Sequence, residues 1–305
     1  MAKRILDPQA KLLRHGGRVK QWVDGGMSRP ILVEISPTGY CNASCPWCFF
    51  KDNTSSESID SEVMFDTIED LPKLAVRAIN WSGGGEPTLH PDFEKFVFYA
   101  NRCGLKQGLF TNSYNHIPLQ KNFDWIRISL TETGYEKITR PEVPFGICLN
   151  QIESQTEQDI RRLCLDAKEF GAEYFQVRPA LIGSFLEQPK LVTPNYLKEY
   201  NTDSFCVHVT DYKYTEAVKP KYYDKCYGYH FCPSIDWKGN LSACMYLSHE
   251  EGYMFGNLNN QSLLDIWASI PESVEVIDRC QNCCKNHSIN ALLYRVKNVE
   301  QIDFL

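Results

Sequence analysis

Three closely spaced cysteines are the residues of this chain with the clearest chemical potential. Cys41, Cys45 and Cys48 have the spacing CxxxCxxC and follow a strand-like run, Ile31–Ile35. Three thiolates can hold three irons of a cubane iron–sulfur cluster, whereas such clusters in proteins normally have four cysteine ligands. The fourth iron would therefore lack a protein ligand, and an open coordination position is typical of a reactive metal centre.

A structural zinc site is the alternative explanation of the same cysteines. Structural zinc sites have four ligands, and no fourth cysteine or histidine lies close to Cys48 in the sequence. The ligand count favours the cluster. It leaves a zinc-binding interaction module without catalytic activity as the alternative from a different functional class.

A glycine-rich motif follows about one βα unit later. Ser82–Pro87 has the sequence SGGGEP and comes at the end of a second strand-like run, Arg77–Ser82. Together with the CxxxCxxC motif, and with Trp47 just before its last cysteine, it resembles the signatures of the radical SAM enzymes. The resemblance implies a [4Fe–4S] cluster whose open iron binds the amino and carboxylate groups of S-adenosylmethionine (SAM). One electron from the cluster would yield a 5′-deoxyadenosyl radical, which takes a hydrogen atom from the substrate.

Strand-like and helix-like runs alternate through the first 180 residues. Helices are predicted at Asp60–Leu71, ended by Pro72, at Pro91–Cys103, and after a capping box at Ser154–Glu157. The six predicted strands are Ile31–Ser36, Arg77–Ser82, Leu105–Thr111, Trp125–Leu130, Pro144–Asn150 and Tyr174–Arg178. Six βα units predict an α/β fold with a parallel sheet, which agrees with the partial (βα)6 TIM-type barrel of the radical SAM enzymes.

The chemistry of a parallel barrel lies at the carboxyl ends of its strands, where both motifs are expected. The resemblance implies that the glycine-rich turn and Glu86 receive the methionine amino group, and that Trp47 lies near the adenine. Asn112 and Ser129 become candidates for the ribose hydroxyls, and Arg178 for the methionine carboxylate. An ordinary role as loop caps stays open for these last three. The predicted SAM contacts are Trp47, Gly84, Gly85, Glu86, Asn112, Ser129 and Arg178.

Seven cysteines lie beyond residue 190, where the βα rhythm ends. Asp236–Leu241 predicts a hairpin turn, and Ser262–Ser269 a short helix. This pattern is similar to the C-terminal twitch and SPASM extensions of radical SAM enzymes, and it favours the shorter twitch form with one auxiliary cluster. The resemblance implies a second [4Fe–4S] cluster with the ligands Cys226, Cys244, Cys280 and Cys283. The other cysteines are Cys206, Cys232 and Cys284, of which Cys232 is an alternative to Cys226 as a ligand.

These features divide the chain into four predicted segments. The segments are a basic N-terminal extension at 1–29, the radical SAM partial barrel at 30–190, a small iron–sulfur domain of a β-hairpin and helices at 191–290, and a helical tail at 291–305.

The composition is that of an ordinary globular chain. Of the 305 residues, 43% are hydrophobic and 23% are charged, which suits a sizeable core. The net charge of −6 disfavours a nucleic-acid partner. The N-terminus lacks the apolar region of a signal peptide, and no run approaches the ~20 apolar residues of a membrane span. Without a secretory signal, the thirteen cysteines indicate metal ligation in a reducing cytoplasm, with no membrane partner.

The expected activity is the radical SAM modification of a ribosomally made peptide or a protein side chain. A dehydrogenase, epimerase or dehydratase acting on a sugar or aminocyclitol is the alternative within the same class. An electron donor such as flavodoxin or ferredoxin is an expected partner, and so is a separate protein that delivers the substrate. The basic residues Lys11, Arg14, Arg18 and Lys20 suit either docking of an acidic leader peptide or a solvated helix.

Overall fold

The centre of the fold is a parallel sheet in which each strand pairs with the next one along the chain. The computed structural model describes residues 7–51, 55–180, 190–215, 219–280 and 285–302. The parallel strands are β1 (Leu32–Ile35), β2 (Ala78–Trp81), β3 (Lys106–Thr111), β4 (Trp125–Ser129), β5 (Phe145–Gln151), β6 (Tyr174–Pro179) and β7 (Cys206–Val209). Strand β7 lies at one edge of the sheet and does not pair with β1, so the parallel strands form an open barrel rather than a closed one. The predicted α/β class is confirmed.

Helices connect only some of these strands. The helices are α1 (Pro8–Leu13), α2 (Gly16–Gly25), α3 (Ser61–Lys73), α4 (Phe93–Arg102), α5 (Glu157–Glu169), α6 (Asp211–Thr215), α7 (Leu263–Ala268) and α8 (His287–Asn298). Helices α3, α4 and α5 follow β1, β2 and β5, whereas the β3–β4 and β4–β5 connections contain no α-helix. The expectation of six βα units is therefore wrong in number. The first connection has three Asn residues, and the second contains Gly134, Pro141 and Pro144; these residue types favour turns.

Two predicted helix ends also need correction. Helix α3 continues through Pro72 to Lys73. A proline in the last turn of a helix is tolerated because it removes only one backbone hydrogen bond, the one that its missing N–H would donate. The capping box of α5 is Thr156 with Asp159, whose side chains bind each other's backbone N–H at 3.2 and 3.0 Å. The pair Ser154 and Glu157 has the same spacing but is not used. The buried residues of α4 are Phe93, Phe96, Val97 and Ala100, which recur with the helical period along one face.

The C-terminal part of the chain extends the central sheet. Its short strands are β8 (Lys225–Cys226), β9 (Ser234–Ile235), β10 (Asn240–Ser242), β11 (Met254–Asn257) and β12 (Val274–Glu275). Strand β9 pairs with β1 in parallel, and β10 and β11 continue antiparallel from it. Strands β8 and β12 form a separate two-stranded sheet. The predicted hairpin is present, with Gly239 at φ +80° in its turn. Strand β7, in contrast, was not predicted and lies beyond residue 190.

The two ends of the described chain pack against each other. Helices α1, α2 and α8 share a small apolar core made of Leu12, Val19, Trp22, Phe231 and Leu293. The guanidinium of Arg18 donates to the carbonyl oxygens of Pro30 and Ala75, and so fastens α2 to the barrel. The basic N-terminal segment is thus part of the packed structure. None of the helices within the described residues is long and apolar enough to cross a membrane.

Candidate functional site

A cavity of about 250 Å³ opens at the carboxyl ends of the parallel strands. Its wall contains each of the ten residues that were assigned from the sequence to the first cluster and to SAM. These are Cys41, Cys45, Trp47, Cys48, Gly84, Gly85, Glu86, Asn112, Ser129 and Arg178. The fold therefore brings the two motifs, which are separated by a full crossover, to one place.

Two side chains that follow other strands hold the cysteine loop in position by hydrogen bonds. Glu132, in the loop after β4, accepts hydrogen bonds from the backbone N–H and the hydroxyl of Ser44, at 3.1 and 3.2 Å. The side-chain amide of Asn112 donates to Asn42 Oδ1 at 2.8 Å. From the sequence, Glu132 was expected at the carboxyl end of the fourth strand but was given no role, because nothing local to it signals a contact with Ser44, 88 positions away.

The three thiols lie in a protected environment. Burial raises the pKa of each of Cys41, Cys45 and Cys48, and the Glu132 carboxylate raises it further. The thiols are therefore protonated at neutral pH unless cations replace the protons, which is what iron ligation does. Three thiols on one loop, facing a cavity that has space for a further ligand, fit a cluster with one open iron.

Glu86 is the centre of a buried hydrogen-bond network. Its Oε1 accepts from the Thr88 hydroxyl at 2.8 Å and from the Thr111 hydroxyl at 2.7 Å, and its Oε2 accepts from Asn112 N at 2.7 Å. Burial raises the pKa of Glu86, while these donors oppose the shift. Each carboxylate oxygen can accept about two hydrogen bonds, so Oε2 retains capacity for a donor such as an ammonium group.

The glycine-rich turn is closely enclosed by the C-terminal segment. A Cβ atom at Gly84 would lie 1.8 Å from Cζ3 of Trp237, and one at Gly85 would lie 2.1 Å from the carbonyl oxygen of Tyr40. Trp237 is fully buried and also packs on Phe50, with ring centroids 5.9 Å apart. These close approaches thus require glycine at both positions. One of the contacting residues, Trp237, was predicted only as part of a hairpin turn.

Arg178 is oriented by a neighbour on the adjacent strand. Its Nε donates to Asn150 Oδ1 at 2.8 Å, across the β5–β6 pair. Both side chains line the cavity. The roles in SAM binding of Arg178, Ser129, Trp47 and Asn112 stay predictions, although the Asn112 amide already supports the cysteine loop.

A buried ion pair lies between this cavity and a second one. The ammonium group of Lys285 contacts the carboxylate of Glu34, a β1 residue that lines the first cavity. Burial lowers the pKa of Lys285, and the carboxylate acts in the opposite direction because it favours the charged ammonium. Lys285 also lines the second cavity, so the pair connects the walls of both.

The second cavity collects cysteines from the C-terminal part of the chain. Cys226, Cys244 and Cys280 line it, whereas Cys283 and Cys284 lie outside the described residues. Cys232 is buried elsewhere, so Cys226 rather than Cys232 faces the other two. Cys206 lies in β7. Cys226 lies outside the predicted hairpin and reaches this place through β8 and its pairing with β12.

The described thiols of the two sets do not form a site for a single metal ion. Among the described residues, no three His, Cys, Asp or Glu side chains lie close enough together to hold one ion.

Two family models match the chain at these two sites. The model described as Radical SAM superfamily matches residues 35–178, and the SPASM model, described as an iron–sulfur cluster-binding domain, matches residues 226–285. The first match contains both motifs of the larger cavity. The second contains all four cysteines predicted for the auxiliary cluster.

Curated relatives match part of the chain. Mycofactocin maturase MftC of Mycobacterium tuberculosis is 28% identical over 102 residues, which are 33% of this chain and 26% of that protein. The MftC of Mycobacterium ulcerans is 30% identical over 92 residues, which are 29% of this chain and 25% of that protein. The matched part is thus about a quarter of the length of these relatives.

Solved structures share the fold over most of the chain. Streptococcus suis SuiB bound to precursor peptide SuiA has a TM-score of 0.62 at 16% identity, over 88% of this chain and 71% of SuiB. Native anSMEcpe with bound AdoMet and Kp18Cys peptide has a TM-score of 0.60 at 16% identity, over 80% of this chain and 81% of that one. These structures show the fold, and the two family models show that this chain contains a Radical SAM superfamily domain at residues 35–178 and a SPASM iron–sulfur cluster-binding domain at residues 226–285.

Proposed function

We propose that this protein reductively cleaves SAM and uses the resulting radical to abstract a hydrogen atom from a peptide. The observation that carries the proposal is the single cavity that unites the three cysteines with the glycine-rich turn and Glu86. A [4Fe–4S] cluster and SAM, when bound there, supply the 5′-deoxyadenosyl radical.

The chain itself supplies placement. Cys41, Cys45 and Cys48 hold three irons, and the loop that carries them is kept in position by Glu132 and Asn112. Oε2 of Glu86 accepts the methionine ammonium group, beside the close-approach surface of Gly84 and Gly85. Arg178, oriented by Asn150, meets the methionine carboxylate as a guanidinium fork. Glu86 and Gly84 are buried, which limits the access of water to this part of the site.

A peptide is the substrate class that the relatives support. One solved relative is described with a precursor peptide, another with a short peptide, and MftC is named a maturase. None of the described residues gives specific support to a sugar or aminocyclitol.

An auxiliary [4Fe–4S] cluster completes the proposal, with Cys226, Cys244, Cys280 and Cys283 as its ligands. Three of these thiols line one cavity, and the fourth is three residues beyond Cys280. A single auxiliary cluster uses all four. The partners proposed are a flavodoxin- or ferredoxin-type electron donor and a substrate-delivery protein. The compartment proposed is a reducing one such as the cytoplasm, in which thiols stay available as metal ligands.

One variant tests both clusters. Replacement of Cys41, Cys45 and Cys48 by Ala should abolish 5′-deoxyadenosine formation under dithionite, because no thiolates then hold the reactive cluster. About four irons per chain should remain, those of the auxiliary cluster. The measurements are chromatography of the reaction products and iron analysis of anaerobically purified protein. Cys103→Ala, at the end of α4, is the matched control and should change neither.

Two results would contradict the proposal. Formation of 5′-deoxyadenosine by the triple variant would refute the assignment of the reactive cluster. A triple variant without iron, but with an unchanged circular dichroism spectrum, would show that the C-terminal cysteines hold no cluster. The peptide substrate is tested separately, by a mass change in a precursor peptide after incubation with SAM and reductant.

A further inference from the structure

Asn290, in the first turns of α8, lies against a predicted ligand of the auxiliary cluster. Its side-chain Nδ2 is 3.2 Å from the sulfur of Cys226. The residue is only 1% exposed, so water does not compete for this contact. From the sequence, Asn290 was the last residue of the predicted iron–sulfur domain, and no contact with the cluster was predicted for it.

The orientation of the Asn290 amide is determined by two backbone donors. Its Oδ1 accepts hydrogen bonds from the N–H groups of Tyr227 and Gly228, each at 2.9 Å. Since N–H donors must face the oxygen and not the NH2 group, the amide cannot be flipped without losing both bonds. The NH2 group is therefore the part of the side chain that faces Cys226, and it donates to the sulfur.

The backbone around Cys226 is shaped to allow this contact. A Cβ atom at Gly228 would lie 2.6 Å from Cβ of Asn286, the residue just before α8. The absence of a side chain at Gly228 lets the start of α8 approach the segment after Cys226. In addition, Asn290 N donates to Asn286 O at 2.8 Å, which places Asn290 in the regular helix.

We propose that Asn290 is a positioning residue of the auxiliary cluster and raises its reduction potential. The inference rests on the proposed function, because it requires the cluster at Cys226. Reduction adds negative charge to the cluster and its sulfurs, and an N–H donor stabilises that charge. Hydrogen bonds to the sulfurs and burial are among the factors that set the potential of iron–sulfur clusters.

The test measures the auxiliary cluster alone, in the protein that lacks Cys41, Cys45 and Cys48. In this background, Asn290→Leu removes the donor without a change of charge. Asn290→Asp retains an acceptor for Tyr227 and Gly228 but removes the donor. The matched control is Asn286→Asp, which adds a charge in the same cavity and leaves the hydrogen bond in place. The measurements are iron content and an EPR-monitored redox titration.

The expected result is a lower midpoint potential for Asn290→Leu, at unchanged iron content. Asn290→Asp should lower the potential further than Asn286→Asp does, because only the former loses the hydrogen bond. In D2O, the reduced cluster of the protein with Asn290 intact should show the coupling of an exchangeable deuteron in pulsed EPR, and Asn290→Leu should lack it.

Different outcomes would overturn the inference and the proposed function. An iron-loaded cluster whose midpoint potential is unchanged by Asn290→Leu, and is lowered equally by Asn290→Asp and Asn286→Asp, would overturn the inference alone. So would the absence of the deuteron coupling when Asn290 is present, a result that does not depend on the folding of any Asn290 variant. A triple-cysteine background that contains no iron at all would overturn the auxiliary cluster itself, and the inference with it.

Discussion

Gly84 is a position of this site at which a side chain does not fit. Its backbone N–H donates to the Ser36 hydroxyl at 2.6 Å, and its Cα faces the ring of Trp237. The turn has no room for a side chain on either face, since the proposed ligand lies against one face and Trp237 against the other. This explains the glycine in terms of approach distance rather than of an unusual backbone angle.

We expect Gly84→Ala to lower the free energy of unfolding by about 1–3 kcal/mol, the usual cost of an overpacked site. SAM binding should weaken as well, because the turn or Trp237 must move. Urea unfolding and equilibrium dialysis with SAM measure the two effects. Gly17→Ala is the control, since a Cβ atom there meets nothing within 4 Å. Unchanged stability and SAM affinity in Gly84→Ala would refute the role of the Trp237 contact.

At the scale of elements, the Glu34–Lys285 pair joins β1 to the segment that leads into α8. Both side chains are mostly buried, with 14% and 22% of their surface exposed. A buried charge that loses its partner is far more costly than an exposed one. A large loss of stability on removal of one partner would therefore indicate that the ion pair joins the walls of the two cavities.

Lys285→Met should destabilise the protein by about 3–5 kcal/mol, because it leaves the Glu34 carboxylate without its cation. Adding Glu34→Gln should restore part of the loss. Urea unfolding under anaerobic conditions measures both. Lys20→Met, which breaks the exposed pair with Asp24, should cost less than about 1 kcal/mol. If Lys285→Met is as mild as this control, the buried pair does not form.

The basic helices α1 and α2 allow a sharper test of leader-peptide docking. Arg18 must be left unchanged, because its guanidinium holds backbone carbonyls of the barrel. Replacement of Lys11, Arg14 and Lys20 by Gln should weaken the binding of an acidic leader peptide, most strongly at low salt, since exposed charges are screened. Fluorescence anisotropy with a labelled peptide measures this, and SAM cleavage without substrate is the control. Equal affinity at low salt would exclude this surface as the docking site.

The largest apolar cluster of the described residues spans both the barrel and the C-terminal part of the chain. The bonds Glu34 N to Pro233 O and Ser36 N to Ile235 O, at 3.0 and 2.9 Å, join β1 to β9. The same apolar cluster runs from barrel residues such as Ile79 to Leu241 and Ile266 of the C-terminal part. The cluster-binding segment is therefore packed into the barrel rather than attached to it as an independent unit.

This continuity predicts a single cooperative unfolding unit. Hydrogen exchange measured by mass spectrometry on the iron-loaded protein should give β9 and β10 the same opening free energy as β1 and β2, because separating them exposes one core. Amides of the exposed helix α6 should exchange faster and serve as the control. A lower opening free energy for residues 234–242 than for β2 would show that the C-terminal part unfolds by itself.

Features that depend on short-range spacing were predictable from the chain alone. Thiols on one short loop are near each other by chain connectivity, so CxxxCxxC indicated a metal site before any fold was known. In long strands and in amphipathic helices such as α4, apolar residues recur with the period of the element because one face is buried, and this period is visible in the sequence. The α/β class and the gathering of the site at strand ends followed from these patterns.

Contacts between residues that are distant in the chain follow from the packing of the whole fold. Strands β8, β9 and β12 have two residues each, too few for a period to be recognised, and yet their pairing brings Cys226 to Cys244 and Cys280. The same packing places Trp237 behind Gly84 and Lys285 on Glu34. Such contacts join residues far apart in the chain, and they arise because the whole core must be filled at once, which no local pattern records.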